Sequence, residues 1–235
     1  MRYAPVLVLM GAIAPMACSG GCIPQAHLTH SGADTIAVQI IVQSSVRILA
    51  DCDGDGDLDG YASGVAISPR HILTARHVAE GCGRVSQAPD MAQFWALTWD
   101  DRRIPLVVDM LARDPEVDAA RFVVDGGSDP FAVWARPALY LPSIGQRVYQ
   151  YTSDGIMEPP FQWKEGSISR IGEQQIDVSI HGVPGNSGSG IFDQEGHLIG
   201  ILWGGRWNPN IEFTVGAYRP QSWIELIPPS SPEML

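Results

Sequence analysis

The apolar residues of this chain come in short runs, each ended by glycine, proline, serine or aspartate, and that pattern excludes most helical architectures. Val65-Ala66-Ile67 stops at Ser68-Pro69-Arg70, and Ala119 to Val124 stops at Asp125-Gly126-Gly127. Runs of this kind, rich in β-branched residues and bounded by turn formers, read as strands. The 25 glycines and 18 prolines are enough to turn the chain after each of them. A chain assembled this way is all-β.

The pattern predicts a strand or strand pair over Thr35–Leu49, then a hairpin of Tyr61–Ser68 and His71–Thr74 turned by Ser68-Pro69-Arg70. Ala75–Gly81 fits one helical turn closed by glycine. Strands at Gln93–Trp99, Ile104–Leu111 and Ala119–Val124 follow, and Asp125 to Pro130 has the composition of a linker. Further strands are expected near Arg147–Thr152, Gly166–Ile171, Gln175–Ile180, Ser189–Phe192, Leu198–Trp203 and Ile211–Tyr218, with a short helix at Gln221–Ile227. About six strands on each side of the linker predict two antiparallel six-stranded barrels, about 35–125 and 131–220. They make up one domain over 23–227, followed by a tail at 228–235.

The first 22 residues read as an export signal. Arg2 gives a minimal positive end, and Ala4–Ala14 is apolar but too short to span a bilayer. Export is expected either with a lipid on Cys18, which would attach the protein to a membrane, or by simple release. Cys18 and Cys22 both lack a clean lipoprotein pattern, and cleavage after Ala14 would leave Pro15 first; the lipid on Cys18 is preferred. The net charge of −11 makes nucleic acid an improbable partner.

Three segments carry chemistry. Thr74-Ala75-Arg76-His77-Val78 follows the predicted hairpin. Val117-Asp118-Ala119-Ala120 places an aspartate at the head of a strand. Gly185-Asn186-Ser187-Gly188 lies in a glycine-rich stretch that continues to Ile199-Gly200-Ile201-Leu202-Trp203-Gly204-Gly205. A serine hydroxyl becomes nucleophilic when an imidazole takes its proton and a carboxylate orients that imidazole. Asp114 and Glu116 compete with Asp118; Asp118 is preferred because a small, apolar strand start follows it directly. The order histidine, aspartate, serine differs from that of subtilisin-like and α/β-hydrolase enzymes.

With these segments the chain resembles the trypsin-like (chymotrypsin-fold) serine proteases, most of all the compact bacterial branch that includes the glutamyl endopeptidases. The resemblance spans most of 35–227 and implies an active site in the cleft between the barrels. It implies Ser187 as nucleophile, His77 as general base, Asp118 as its orienting carboxylate, and the N–H groups of Gly185 and Ser187 as oxyanion donors. It also implies a disulfide between Cys52 and Cys82. His181 and Gly182 would floor the specificity pocket, with Leu202, Trp203, Gly204 and Gly205 and the segment Thr214–Ala217 as walls. Leu202 stands where glutamyl endopeptidases carry a histidine, which leaves the preferred side chain open. Arg121 replaces a usual aliphatic residue and Gly190 a usual proline. Asn186 stands where trypsin has an aspartate that pairs with a newly cut N-terminus, so activation of that style is not expected.

The loop Asp51-Cys52-Asp53-Gly54-Asp55-Gly56-Asp57-Leu58-Asp59 alternates carboxylates and is a partial match to a calcium loop, since Ala62 occupies the place of the bidentate glutamate. One structural calcium ion on Asp51, Asp53, Asp55, Asp57 and Asp59 is expected, with a solvated acidic loop as the alternative. Catalysis itself needs no cofactor. The sequence thus predicts an exported, monomeric serine endopeptidase acting on proteins or peptides. Two alternatives stand beside it: a catalytically inactive, calcium-dependent surface binding module of the same fold, and an esterase using the same triad.

Overall fold

A computed structural model describes residues 34–82, 91–114, 118–154, 161–173, 175–208 and 211–218; for 110–114, 205–208 and 211–218 it describes the backbone alone. The predicted export segment with Cys18 and Cys22, the predicted helix at 221–227, the tail 228–235 and Glu116 lie outside the described residues. So does the side chain of Asp114.

Six strands form the first barrel: β1 (Ser45–Asp51), β2 (Gly60–Ala66), β3 (His71–Thr74), β4 (Gln93–Thr98), β5 (Arg103–Asp114) and β6 (Ala119–Val124). They close in the order β1-β2-β3-β6-β5-β4, with Ser45 opposite Val65 on one side of β1 and Val46 opposite Thr98 on the other. The second barrel comprises β7 (Arg147–Thr152), β8 (Gln162–Ile171), β9 (Gln175–Val178), β10 (Gly190–Phe192), β11 (Leu198–Asn208) and β12 (Ile211–Tyr218). Its order is β10-β11-β12-β9-β8-β7, closed where Phe192 faces Tyr149. All strand pairings within both barrels are antiparallel.

One expectation fails at the start. Thr35–Ser44 is an α-helix, α1, and only from Ser45 does the chain become a strand. Its β-branched residues favour a strand locally. Helical spacing, however, puts Ala37, Val38, Ile41 and Val42 on one buried face. The Asp34 carboxylate caps the first turn by accepting from Ile36 N–H at 3.0 Å. Packing and capping override the local preference.

Strand alternation divides the apolar side chains between barrel interiors and the seam between barrels. On β2 and β3, Ala66 and Ile72 join the interior of the first barrel, with Ile48, Phe94 and Phe122. Their neighbours Val65 and Leu73 point outward, to a second cluster with Ile41 and Val42 of α1 and Tyr149, Phe192 and Ile201 of the second barrel. A third cluster, including Val148, Ile168, Ile191 and Leu202, fills the second barrel. The continuous apolar seam sets how the walls of the cleft face one another.

Cys52 and Cys82 form the disulfide that the resemblance implies, with Cα atoms 4.8 Å apart across a separation of 30 residues. A cross-link over about 30 residues contributes roughly 3–4 kcal/mol in the loop-entropy model. It ties the chain just after β1 to the segment just after His77.

Candidate active site

His77 lies on α2 (Arg76–Ala79), a single helical turn directly after β3. β3 pairs with β6, with Thr74 opposite Ala120, which brings Asp118 beside that turn. The carboxylate holds His77 at two points: Oδ1 accepts the backbone N–H at 2.8 Å, and Oδ2 lies 2.5 Å from ring Nδ1. Two-point attachment fixes the ring's orientation, and with Nδ1 engaged, Nε2 is the ring nitrogen available to take a proton. Burial raises the Asp118 pKa, but the hydrogen bonds from the His77 ring and backbone, with the charges of His77 and Arg76, outweigh it and hold the carboxyl below its ordinary range.

Ser187 and Gly185 line one groove of about 220 Å³ with His77, Tyr61, Val78 and Asp59. Gly185 has φ +97° and Gly188 φ +86°, a region that side chains with a Cβ rarely enter. At Gly188 the space is closed as well: a Cβ would lie 2.0 Å from Thr74 Oγ1 and 2.2 Å from Ser63 O. The other N–H groups of the loop are committed, Asn186 to Val183 O, Gly188 to Leu202 O and Ser189 to Asn186 O. Among the described residues, neither the Gly185 nor the Ser187 N–H is taken by another group. Two uncommitted N–H groups beside one groove are what an oxyanion-binding site requires.

Ser63, which the sequence reading did not single out, ties the halves together. Its N–H donates to Ser187 O at 2.8 Å, and its carbonyl accepts from Thr74 Oγ1 at 2.7 Å. Its buried hydroxyl donates to Gly185 O at 2.8 Å, accepts from Ser153 N–H at 3.2 Å, and lies 3.0 Å from Thr152 Oγ1. A single β2 residue therefore links the histidine segment, the nucleophile loop and the end of β7. The only sequence signal for it was its place in the strand before the histidine turn.

The predicted pocket residues separate. His181 is exposed and Gly182 and Trp203 are half-buried. A Cβ on Gly204 would meet nothing within 4 Å, so that position faces open space. The Leu202 side chain instead packs inside the second barrel; only its backbone serves the loop, donating to Ser189 O and accepting from Gly188 N–H. Of Gly205 and Thr214–Ala217 the backbone alone is described, in β11 and β12.

In the acidic loop, carboxylate oxygens of Asp51, Asp53 and Asp59 lie within 4.8 Å of one another. Asp51 is buried and accepts from Gly54 and Gly56 N–H, while Asp59 accepts from Cys52 N–H. Asp55 and Asp57 are exposed and outside that group, with Asp55 accepting from Asp57 N–H. Three of the five expected ligands thus converge, and each of the three also accepts a backbone N–H of the loop.

Residues 62–201 match the family model described as "Trypsin-like peptidase domain". No curated protein matches the chain. Among solved structures it is similar to that described as the serine endoprotease from Yersinia pestis, at TM-score 0.62 and 19% identity. The match covers 80% of this chain and 62% of that one, so this chain spans less than two thirds of that structure's length. At that identity the likeness speaks for the fold. The family match covers more than half of the sequence, and its span contains His77, Asp118 and Ser187 on the two-barrel frame: this chain belongs to the trypsin-like peptidase family.

Proposed function

We propose that the protein is an exported serine endopeptidase. Ser187 attacks the scissile carbonyl, His77 takes its proton and returns one to the leaving amine, and Asp118 orients the imidazole and stabilises its cation. The Gly185 and Ser187 N–H groups receive the oxyanion of the tetrahedral intermediate. The observation that carries this reading is the two-point contact of Asp118 with His77, beside a groove lined by Ser187 and Gly185, whose N–H groups are not taken by another group among the described residues. Export is supported by the Cys52–Cys82 bridge, since reducing compartments disfavour structural disulfides; attachment through a lipid on Cys18 belongs to the same proposal.

The test is Ser187→Ala in the purified protein. Casein hydrolysis and labelling by a fluorophosphonate probe are both expected to vanish, with the fold intact by circular dichroism. A variant that still cleaves at the original rate would sink the assignment. The acidic loop adds a proposed structural calcium ion held by Asp51, Asp53 and Asp59, on the strength of their convergence. A binding module that had kept only the fold and the ion would leave the probe unreacted in the wild type.

A further inference from the structure

Asn186 sits between the two residues whose N–H groups face the proposed oxyanion, and it is 1% exposed. Every bonding position of its carboxamide is occupied. Oδ1 accepts from Val183 N–H at 2.9 Å and from Lys164 Nζ at 3.0 Å. Nδ2 donates to Ser153 O at 2.6 Å and to Asp154 Oδ1 at 2.9 Å. Lys164 enters from β8, and its ammonium finds three acceptors for its three protons: Asp154 Oδ1 at 2.8 Å, Asn186 Oδ1 and, at 3.2 Å, His181 O. The Lys164 and Asp154 side chains are only 13% and 12% exposed.

A partly buried ion pair recovers its desolvation cost only where hydrogen bonding is complete, and its best-attested use is to select one arrangement among several. The arrangement selected here is the Val183–Ser187 loop, gripped at both ends of the Asn186 carboxamide and at His181.

We propose that Lys164 is a positioning residue for the nucleophile loop: its ammonium, paired with Asp154, clamps Asn186 so that the Gly185 and Ser187 N–H groups point at the oxyanion. This rests on the serine endopeptidase reading above. The saturated carboxamide has no position left for another partner. The clamp is therefore internal to the described chain, and the order of the loop does not depend on an amine released by cleavage elsewhere.

The test uses the full chain with its disulfide intact. Lys164→Met keeps the stem and removes the ammonium; kcat is expected to fall by about a hundredfold, the usual cost of losing one oxyanion donor. KM stays in place, because the lost interaction acts in the transition state, and fluorophosphonate labelling slows in parallel. Lys164→Cys alkylated with 2-bromoethylamine rebuilds an ammonium at the same reach and restores kcat, whereas the neutral iodoacetamide adduct does not. A purely structural role would lower the melting temperature without separating kcat from KM, and without distinguishing the two adducts.

Should Lys164→Met fail to fold, Asp154→Asn and the adduct pair decide the matter, with kcat expected to fall in Asp154→Asn as well. Wild-type kcat in Lys164→Met, or equal activity of the two adducts, overturns the proposal. A wild type that neither cleaves nor labels overturns the endopeptidase reading first, and this inference with it.

Discussion

Gly188→Ala tests the packing of the nucleophile loop against the first barrel. The new methyl would sit 2.0 Å from Thr74 Oγ1, 2.2 Å from Ser63 O and 2.9 Å from Ala75 N. Two of these three atoms are backbone, so no side-chain rotation clears the site. The residue also has φ +86°, which costs an L-residue roughly 1–2 kcal/mol. Overpacking adds typically 1–3 kcal/mol. A combined loss of about 3 kcal/mol lowers the melting temperature of a domain this size by roughly 6–12 °C. Relief of the clash at Ser63 O requires the loop to back away by about 1 Å, enough to cost a hundredfold in rate at a catalytic site. Thermal unfolding followed by circular dichroism, together with kcat/KM on a peptide substrate, reads both effects. Adding Thr74→Ala should recover only part of the loss, because Ser63 O stays where it is. A Gly188→Ala protein that melts within about one degree of wild type and turns over normally would refute this account of the loop.

Two further outcomes are expected. His71 has a pKa held below its ordinary value by burial first, then by Arg121 and Arg70, against an opposing pull from Asp109. Below pH about 6.5 the unfolded chain therefore takes up a proton that the folded one still refuses, and stability falls with pH until the folded-state pKa is passed. His71→Gln should flatten the melting-temperature profile in that window, and an unchanged slope would count against the assignment. For the acidic loop, calcium at a hundredfold above its Kd should stabilise by about 2.7 kcal/mol, roughly 5–10 °C, relative to EDTA. Asp59→Asn should erase the gain while Asp57→Asn spares it; no shift, or equal loss in both variants, removes the proposed ion.

The strands were legible because each rests on local patterning: β-branched runs, the Ser68-Pro69-Arg70 turn and the glycine after α2. The His77 turn and the head of β6 were legible for the same reason. What escaped were features made by distant partners. The contact of Ser63 with Gly185 joins residues 122 apart, and Lys164 meets Asn186 across 22; no local pattern marks either. α1 was missed because one buried face, supplied by tertiary packing, outweighed strand propensity. β8 begins at Gln162, ahead of its predicted start, because the polar Lys164 and Glu165 pair with Gln150 and Tyr149 of β7. The pocket role of Leu202 assumed a side chain facing the cleft, whereas the strand turns it into the barrel.

Two departures from the family pattern, Arg121 and Gly190, look different once their neighbours are known. Arg121 stands opposite Asp109 across the β5–β6 pair. Its Nε donates to the Asp109 carboxylate at 2.9 Å, with side chains only 14% and 16% exposed. An arginine alone at such a position would leave a costly half-buried charge; paired, it is a cross-strand contact. Gly190 is equally matched, since a Cβ there would lie 2.5 Å from the Phe192 ring and 2.9 Å from Leu198. The buried Phe192 ring takes the room that a larger residue would need. Each departure thus comes with a partner that makes it fit. Among the described residues, neither change touches the His77–Asp118 contact or the Gly185 and Ser187 N–H groups.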